Sequence, residues 1–185
     1  MIPESPESLT LKDGRSVVLD LAGQGDAERV HEYIGSLGQS TDLVLSCQED
    51  MLTLAGVERY MDQVQRGEFY SLLATDPESE CVVASASFSI SPRLKLSHCA
   101  ELGIGVLESH RGQGLGALLL GRAIDDMRNR VGIDRLELTT LSRNAVAIAL
   151  YERAGFVREG VKCRSFKQPD GRLEDEIIMG MWIGE

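Results

Sequence analysis

Ile104-Gly105-Val106-Leu107-Glu108-Ser109-His110-Arg111-Gly112-Gln113-Gly114-Leu115-Gly116-Ala117 is the stretch on which the reading of this chain turns. The alternating apolar residues Leu102, Ile104 and Val106 predict a strand that enters a polar turn. Three glycines follow, Gly112, Gly114 and Gly116. Behind them Ala117, Leu118, Leu119, Leu120, Ala123, Ile124 and Met127 predict a helix over 116–130. A strand, a glycine-rich turn and a helix in that order make a phosphate-binding device. Glycine lets the backbone approach an anion closely and adopt positive φ. The helix start offers N–H groups without partners and a partial positive charge. Arg111 adds a permanent cation at the lip.

Downstream, Val131-Gly132 breaks the helix and Ile133 to Leu141 predicts a strand. Asn144 opens a helix that carries Ala147, Ile148, Leu150 and Tyr151 and stops at Ala154-Gly155. Phe156 to Val161 predicts a strand. Lys162 to Lys167 and Asp175 to Ile183 flank Pro169-Asp170-Gly171 and predict a closing hairpin. Upstream, Phe69 to Thr75, Cys81 to Ile90 and Leu96 to Val106 predict three strands. The run S-A-S-F-S-I has the alternation of a half-buried sheet face. Ala27, Val30, Tyr33, Ile34 and Leu37 predict a helix with Asp26 as N-cap and Gly38 as its stop. Residues 40–67 are less regular: Leu43 to Leu54 read as broken helix or loop, and Val57, Tyr60, Met61 and Val64 as a helix ending at Gly67. Leu9 to Asp13 and Ser16 to Leu21 predict short strands around Asp13-Gly14. Met1 to Ser8 predicts a loose arm.

The chain has 185 residues, and no linker or repeat divides it, so a single domain over 1–185 is expected. Its formal net charge of −10 argues against nucleic acid as a main partner, because phosphate contacts need clustered Lys and Arg. Cys47, Cys81, Cys99 and Cys163 are scattered, with no metal-ligand spacing. Reduced thiols in a cytoplasmic protein are the expectation. The opening M-I-P-E-S-P-E-S-L is too polar for a signal peptide, and no window approaches a membrane span.

Two familiar glycine motifs fail here. A Walker loop needs a Lys-Ser/Thr pair after its last glycine, and none follows. Gly112-x-Gly114-x-x-Ala117 fits the dinucleotide fingerprint in form. In that fingerprint, however, the strand runs straight into the first glycine, whereas Glu108 to Arg111 intervene here. A turn kept only for helix–strand packing would need a single glycine.

Arg111-Gly112-Gln113-Gly114-Leu115-Gly116 resembles the R-x-x-G-x-G signature of the GCN5-related N-acetyltransferases. Asn144 to Phe156 is similar to the N-x-x-A-x-x-x-Y-x-x-x-G-F segment of the same family, and R-L-E-L-T-T-L before it resembles the family's strand. The likeness runs from about Phe69 to Ile183. The resemblance implies an α/β fold with a mixed, mostly antiparallel sheet flanked by helices and splayed between two parallel strands. It implies acetyl-CoA as donor. The backbone of Ile104 and Val106 would pair with the pantetheine arm. Amides from Arg111, Gly112, Gln113, Gly114, Leu115 and Gly116 would hold the pyrophosphate. Asn144 is either a helix cap or a coenzyme contact as well, Ala147 belongs to the same coenzyme segment, and Arg153 falls near the 3′-phosphate.

Tyr151 is the candidate general acid for the departing thiolate, and its alternative is a ring packed under Phe156. Glu101 is the candidate base, acting through water, because a protonated amine has no lone pair. Its alternative is a strand-face carboxylate without a role. His110 reads as a solvated loop histidine. The acceptor site is expected from residues 37–67 and the final hairpin. Glu49, Asp50, Glu58 and Asp62 are candidates for a cationic acceptor, and Met51, Leu52, Leu54 and Met61 for an apolar one. The expected function is direct acetyl transfer to the primary amine of a small molecule, of amino-acid or polyamine type. A protein N-terminus is the alternative acceptor, and a non-catalytic acyl-CoA sensor the alternative class. Pairing into a homodimer is implied by the resemblance alone.

Overall fold

The structure, a computed structural model, describes residues 6–41, 43, 53–130 and 132–184. Its strands are β1 (Glu7–Thr10), β2 (Ser16–Leu21), β3 (Phe69–Thr75), β4 (Val82–Ile90), β5 (Cys99–Val106), β6 (Arg135–Leu141), β7 (Val157–Lys167) and β8 (Leu173–Trp182). They form one sheet in the order β1-β2-β3-β4-β5-β6-β8-β7. Neighbours are antiparallel except β5 and β6, which run parallel. The helices are α1 (Ala27–Ser40), α2 (Leu54–Gln65), α3 (Leu115–Arg128) and α4 (Ala145–Ala154). The mixed, mostly antiparallel sheet flanked by helices is the architecture expected from the sequence.

Strand alternation sorts the side chains between two cores. On β5, Ala100, Leu102, Ile104 and Val106 belong to the core that α3 and α4 cover, with Phe88, Leu72, Leu119 and Met127. Glu101, Gly103 and Gly105 face the other side, where α1 and α2 pack Val30, Tyr33, Leu37, Val57 and Met61. Fully burying one such leucine or phenylalanine stabilises by about 1.5–3 kcal/mol, so the two apolar faces are what hold the helices to the sheet. The N-cap of α2 is Thr53, whose hydroxyl accepts from Gly56 N–H at 3.1 Å.

Local signals were overridden at several points. Gly38 does not stop α1, which runs on to Ser40 because Leu37 is buried against β5 beside Gly105. Asp26 does not cap α1 with its side chain. Its carboxylate accepts from Gly23 N–H at 2.8 Å and pairs with Arg29. The two segments expected over 156–161 and 162–167 are one strand, β7, carried by its ladder with β8 past irregularities at 158–160 and 162–166. A 3-10 turn at Leu94–Leu96 delays β5 to Cys99. β1 begins at Glu7, inside the stretch read as a loose arm, because it pairs with β2. Met1 to Ser5 of that arm lie outside the described residues, as do Val44, Leu45, Cys47, Glu49, Asp50, Met51, Leu52 and Val131.

Candidate active site

The parallel pair is short. Cys99, Ala100 and Glu101 pair with Arg135, Leu136 and Glu137, and pairing stops there. β5 stays on β4 as far as Val106, and β6 stays on β8 as far as Leu141. A wedge therefore opens between β5 and β6, the splay that the family resemblance implied. Leu107 donates its N–H to the Val83 carbonyl at 2.9 Å. Alternation then turns the backbone polar groups of Ile104 and Val106 away from β4 and into the wedge. The Val106 carbonyl is engaged by Arg111, whose Nε donates to it at 2.9 Å.

The glycine loop follows the diverged end of β5, at the wide end of that wedge. Gly112 and Gly114 hold φ of 75° and 87°, which L side chains rarely adopt. Gly114 is the left-handed N-cap of α3 and has no side chain to cap the helix. The N–H groups of Ala117 and Leu118 both turn to its carbonyl. The five N–H groups from Gly112 to Gly116 have no hydrogen-bond partner among the described residues. The amide of Arg111, expected with them, instead donates to the Glu108 carbonyl at 3.2 Å, closing the turn before the loop. The first N–H groups of a helix have no partner within it, and such a run can hold an anion. Leu115 is 1% exposed and pins this end of the helix into the core. At Gly116 a Cβ would meet Val106 and Leu150 at 3.6 Å, so this glycine also serves helix–strand packing.

The turn before the loop is bolted to the first hairpin. Arg15 donates to the Ser109 carbonyl at 2.8 Å and to His110 Nε2 at 3.1 Å. Arginine only donates, so Nε2 accepts and Nδ1 carries the proton, which points to Ser109 Oγ at 2.9 Å. His110 is thus a buried neutral histidine and not the solvated loop residue expected from its polar neighbours. Burial lowers its pKa from the ordinary value, and the Arg15 charge adds to that.

On α4, Asn144 is a working N-cap: its side chain accepts from Ala147 N–H at 3.3 Å. Ala147 and Leu150 pack against the core under the wedge. Arg153 is exposed near the end of α4. Tyr151 is buried, with its ring against the edge of Phe156 at 6.0 Å between centroids. Burial pushes its pKa up to about 12, so the phenol stays protonated at neutral pH.

Glu101 lies on the opposite face, in a cleft of about 870 Å³ between the sheet and helices α1 and α2. Gly103 and Gly105 follow it with no side chains, and Ser85, Ser87 and Ser89 line the adjacent strand, opposite Gly105, Gly103 and Glu101 in register. Ser71, Tyr60 and Tyr33 add hydroxyls, with Tyr60 bonded to Ser71 and Ser87. The serines were visible in the sequence as an alternating face, but not as the floor of a cleft. Asp62 from α2 and Glu176 from β8 also line it, together with Arg59, Arg66 and Lys162, cations that the sequence reading did not select. Glu58 does not line the cleft, and Met61 is buried in the core beneath it. Glu101 and Tyr151 therefore lie on opposite faces of the sheet, Glu101 in the cleft and Tyr151 in the core under α3 and α4. Among the described residues no cluster of His, Cys, Asp or Glu offers a metal site, and no helix is long and apolar enough to cross a membrane.

The fold and the wedge place the chain among acetyltransferases, and residues 42–156 match the model of the acetyltransferase (GNAT) family. The chain belongs to that family. It is 38% identical over 98 residues to the [ribosomal protein bS18]-alanine N-acetyltransferase of Escherichia coli strain K12, a match covering 53% of this chain and 64% of that protein. It is 34% identical over 98 residues to the L-amino acid N-acetyltransferase AaaT of the same organism, covering 53% of this chain and 60% of that one. The chain thus spans less than two thirds of the length of these relatives. Among solved structures, an acetyltransferase of the GNAT family from Streptococcus pneumoniae superposes with a TM-score of 0.82 at 27% identity, covering 90% of this chain and 99% of that one. The donor of the family is acetyl-CoA.

Proposed function

We propose that this chain moves an acetyl group from acetyl-CoA directly to the primary amine of a small molecule of amino-acid type. The observation that carries the reading is the run of five unpartnered N–H groups from Gly112 to Gly116, beyond the end of β5 at the wide end of the wedge. Those amides fit a pyrophosphate, and the free backbone groups of Ile104 and the wedge wall fit an extended amide-bearing arm as an added strand does. When bound, the coenzyme supplies the activated acetyl group. The protein holds it in line with the acceptor, which converts an encounter of two molecules into a reaction within one complex.

Glu101 sits where β5 and β6 part, in the acceptor cleft. It takes the proton that the ammonium must lose, through a water held by the neighbouring serine hydroxyls. Tyr151, kept protonated by burial, supplies a proton on the leaving-group side. The mixture of Glu101, Asp62 and Glu176 with Arg59, Arg66 and Lys162 suits an acceptor carrying both charges, as an amino acid does, better than a polyamine.

A second reading is acetylation of a protein N-terminus. The cleft volume favours it, being of the size that takes a ligand larger than one amino acid, and one relative is named for an alanine of a ribosomal protein. The test is mass-spectrometric detection of acetylated product with acetyl-CoA and a panel of free amino acids, polyamines and short peptides. Acetylated amino acids support the first reading, and acetylated peptides alone support the second. Coenzyme binding with no product on any acceptor would favour a sensor domain.

A further inference from the structure

We propose that Lys12, from the turn between β1 and β2, is a coenzyme-binding residue whose ammonium completes the pyrophosphate seat at Gly114. The inference rests on the coenzyme reading of the glycine loop. Lys12 is about one hundred residues away in sequence, and nothing in its surroundings there points to a phosphate. The fold brings it to the loop. Its Cε lies 3.5 Å from the position that a Cβ would take on Gly114. Gly114 is the N-cap of α3, and its own N–H is one of the five without partners.

The placement of Lys12 is held by more than its own side chain. The turn closes on itself through Leu11 N–H to the Arg15 carbonyl at 2.8 Å and Gly14 N–H to the Leu11 carbonyl at 3.0 Å. Arg15 fixes this turn to Ser109 and His110, immediately before the loop. The nearest carboxylate in sequence, Asp13, is already taken by Arg15, with Nε to Oδ2 at 2.8 Å and N to Oδ1 at 3.1 Å. Lys12 makes no ion pair or hydrogen bond among the described residues, so its charge is free for a ligand.

The electrostatics call for such a charge. A pyrophosphate carries two negative charges, and a helix start offers roughly half a positive one. Arg111 adds one cation at the lip while its Nε holds the Val106 carbonyl, which leaves part of the ligand charge unmatched, and the chain as a whole carries −10. A lysine at the lip offsets a ligand charge that the amides alone do not balance. It acts as a point charge on a flexible stem and needs no fixed fork geometry.

The test is calorimetric titration of acetyl-CoA and of its 3′-dephospho form into the wild type, Lys12→Met and Lys12→Arg. Methionine keeps the aliphatic stem over Gly114 and removes the charge. The expected result is an affinity loss of roughly tenfold for Lys12→Met, as for one charge-assisted hydrogen bond, with most of it restored in Lys12→Arg. The same loss is expected with the dephospho coenzyme, because the contact is to the pyrophosphate. Lys12→Met binding as tightly as the wild type overturns the proposal. A loss that disappears with the dephospho coenzyme also overturns it, by moving the contact to the 3′-phosphate. No binding by the wild type itself overturns the coenzyme site, and the role of Lys12 falls with it.

Discussion

Glu101 and Glu137 stand side by side at the last paired position of β5 and β6. Both face the acceptor cleft side of the sheet by strand alternation. Their situations differ. Glu137 has Arg135 at 3.5 Å, whereas Glu101 makes no ion pair among the described residues. One residue further on, the strands have parted. The unpaired carboxylate thus stands at the apex of the wedge, where the proposed function brings an acceptor amine to the acetyl group. Replacing Glu101 by Gln keeps the shape and removes the base. The kcat/KM for the amine is expected to fall by about 100-fold or more, while the Kd for acetyl-CoA stays unchanged. Steady-state kinetics beside calorimetry check both.

Tyr151→Phe keeps the ring against Phe156 and removes the buried hydroxyl. The melting temperature is expected to hold and kcat to fall by about 10- to 100-fold. With the wild-type pKa near 12, kcat of the wild type should show no loss from tyrosine ionisation up to pH 10. A Tyr151→Phe enzyme with full kcat at every pH would remove the residue from the mechanism.

His110 makes stability depend on pH in one direction. Its pKa is lowered in the fold, mainly by burial. Between the folded value and the unfolded value near 6.5, the unfolded chain binds more protons. The contribution is therefore complete above about pH 6.5 and is lost as the pH falls toward the folded pKa. Protonation also removes the acceptor that Arg15 uses. Denaturant melts between pH 5 and 8 are expected to show this loss, and His110→Gln is expected to flatten it.

Gly105→Ala would place a Cβ 2.5 Å from Leu37 Cδ2 and 2.6 Å from the Tyr33 hydroxyl. Such overpacking costs about 1–3 kcal/mol, and it displaces Leu37 and Tyr33, which line the cleft. A lower melting temperature together with a raised KM for the amine is the expected outcome. An alanine at Gly114 behaves differently, since the nearest atom, Lys12 Cε, is at an ordinary 3.5 Å. Its cost, about 1–2 kcal/mol, comes from the left-handed backbone.

Much of this architecture was legible in the chain. Strand alternation at Leu102, Ile104 and Val106 marked the strand, the glycines behind them marked the turn into α3, and the family resemblance implied the splay beside them. Asn144 and Gly155 marked both ends of α4, because a cap and a left-handed stop are local chemistry. What the sequence hid is long-range. Arg15 meets Ser109 across 94 residues, and the same arginine reaches the buried His110. Gly38 signalled a stop that tertiary burial of Leu37 overrode. The serines of β4 carried a face but no destination, since α1 and α2 decide which face becomes a cleft.

In the proposed function the amides from Gly112 to Gly116 seat the coenzyme. The most direct test follows the backbone amide resonances of Gly112, Gly114 and Gly116 in nitrogen-proton spectra while acetyl-CoA is added. Large downfield proton shifts are expected at these glycines, as free N–H groups gain charge-assisted hydrogen bonds, with a further shift at Ile104 on the wedge wall. Saturable binding that leaves all three glycines unmoved would contradict it.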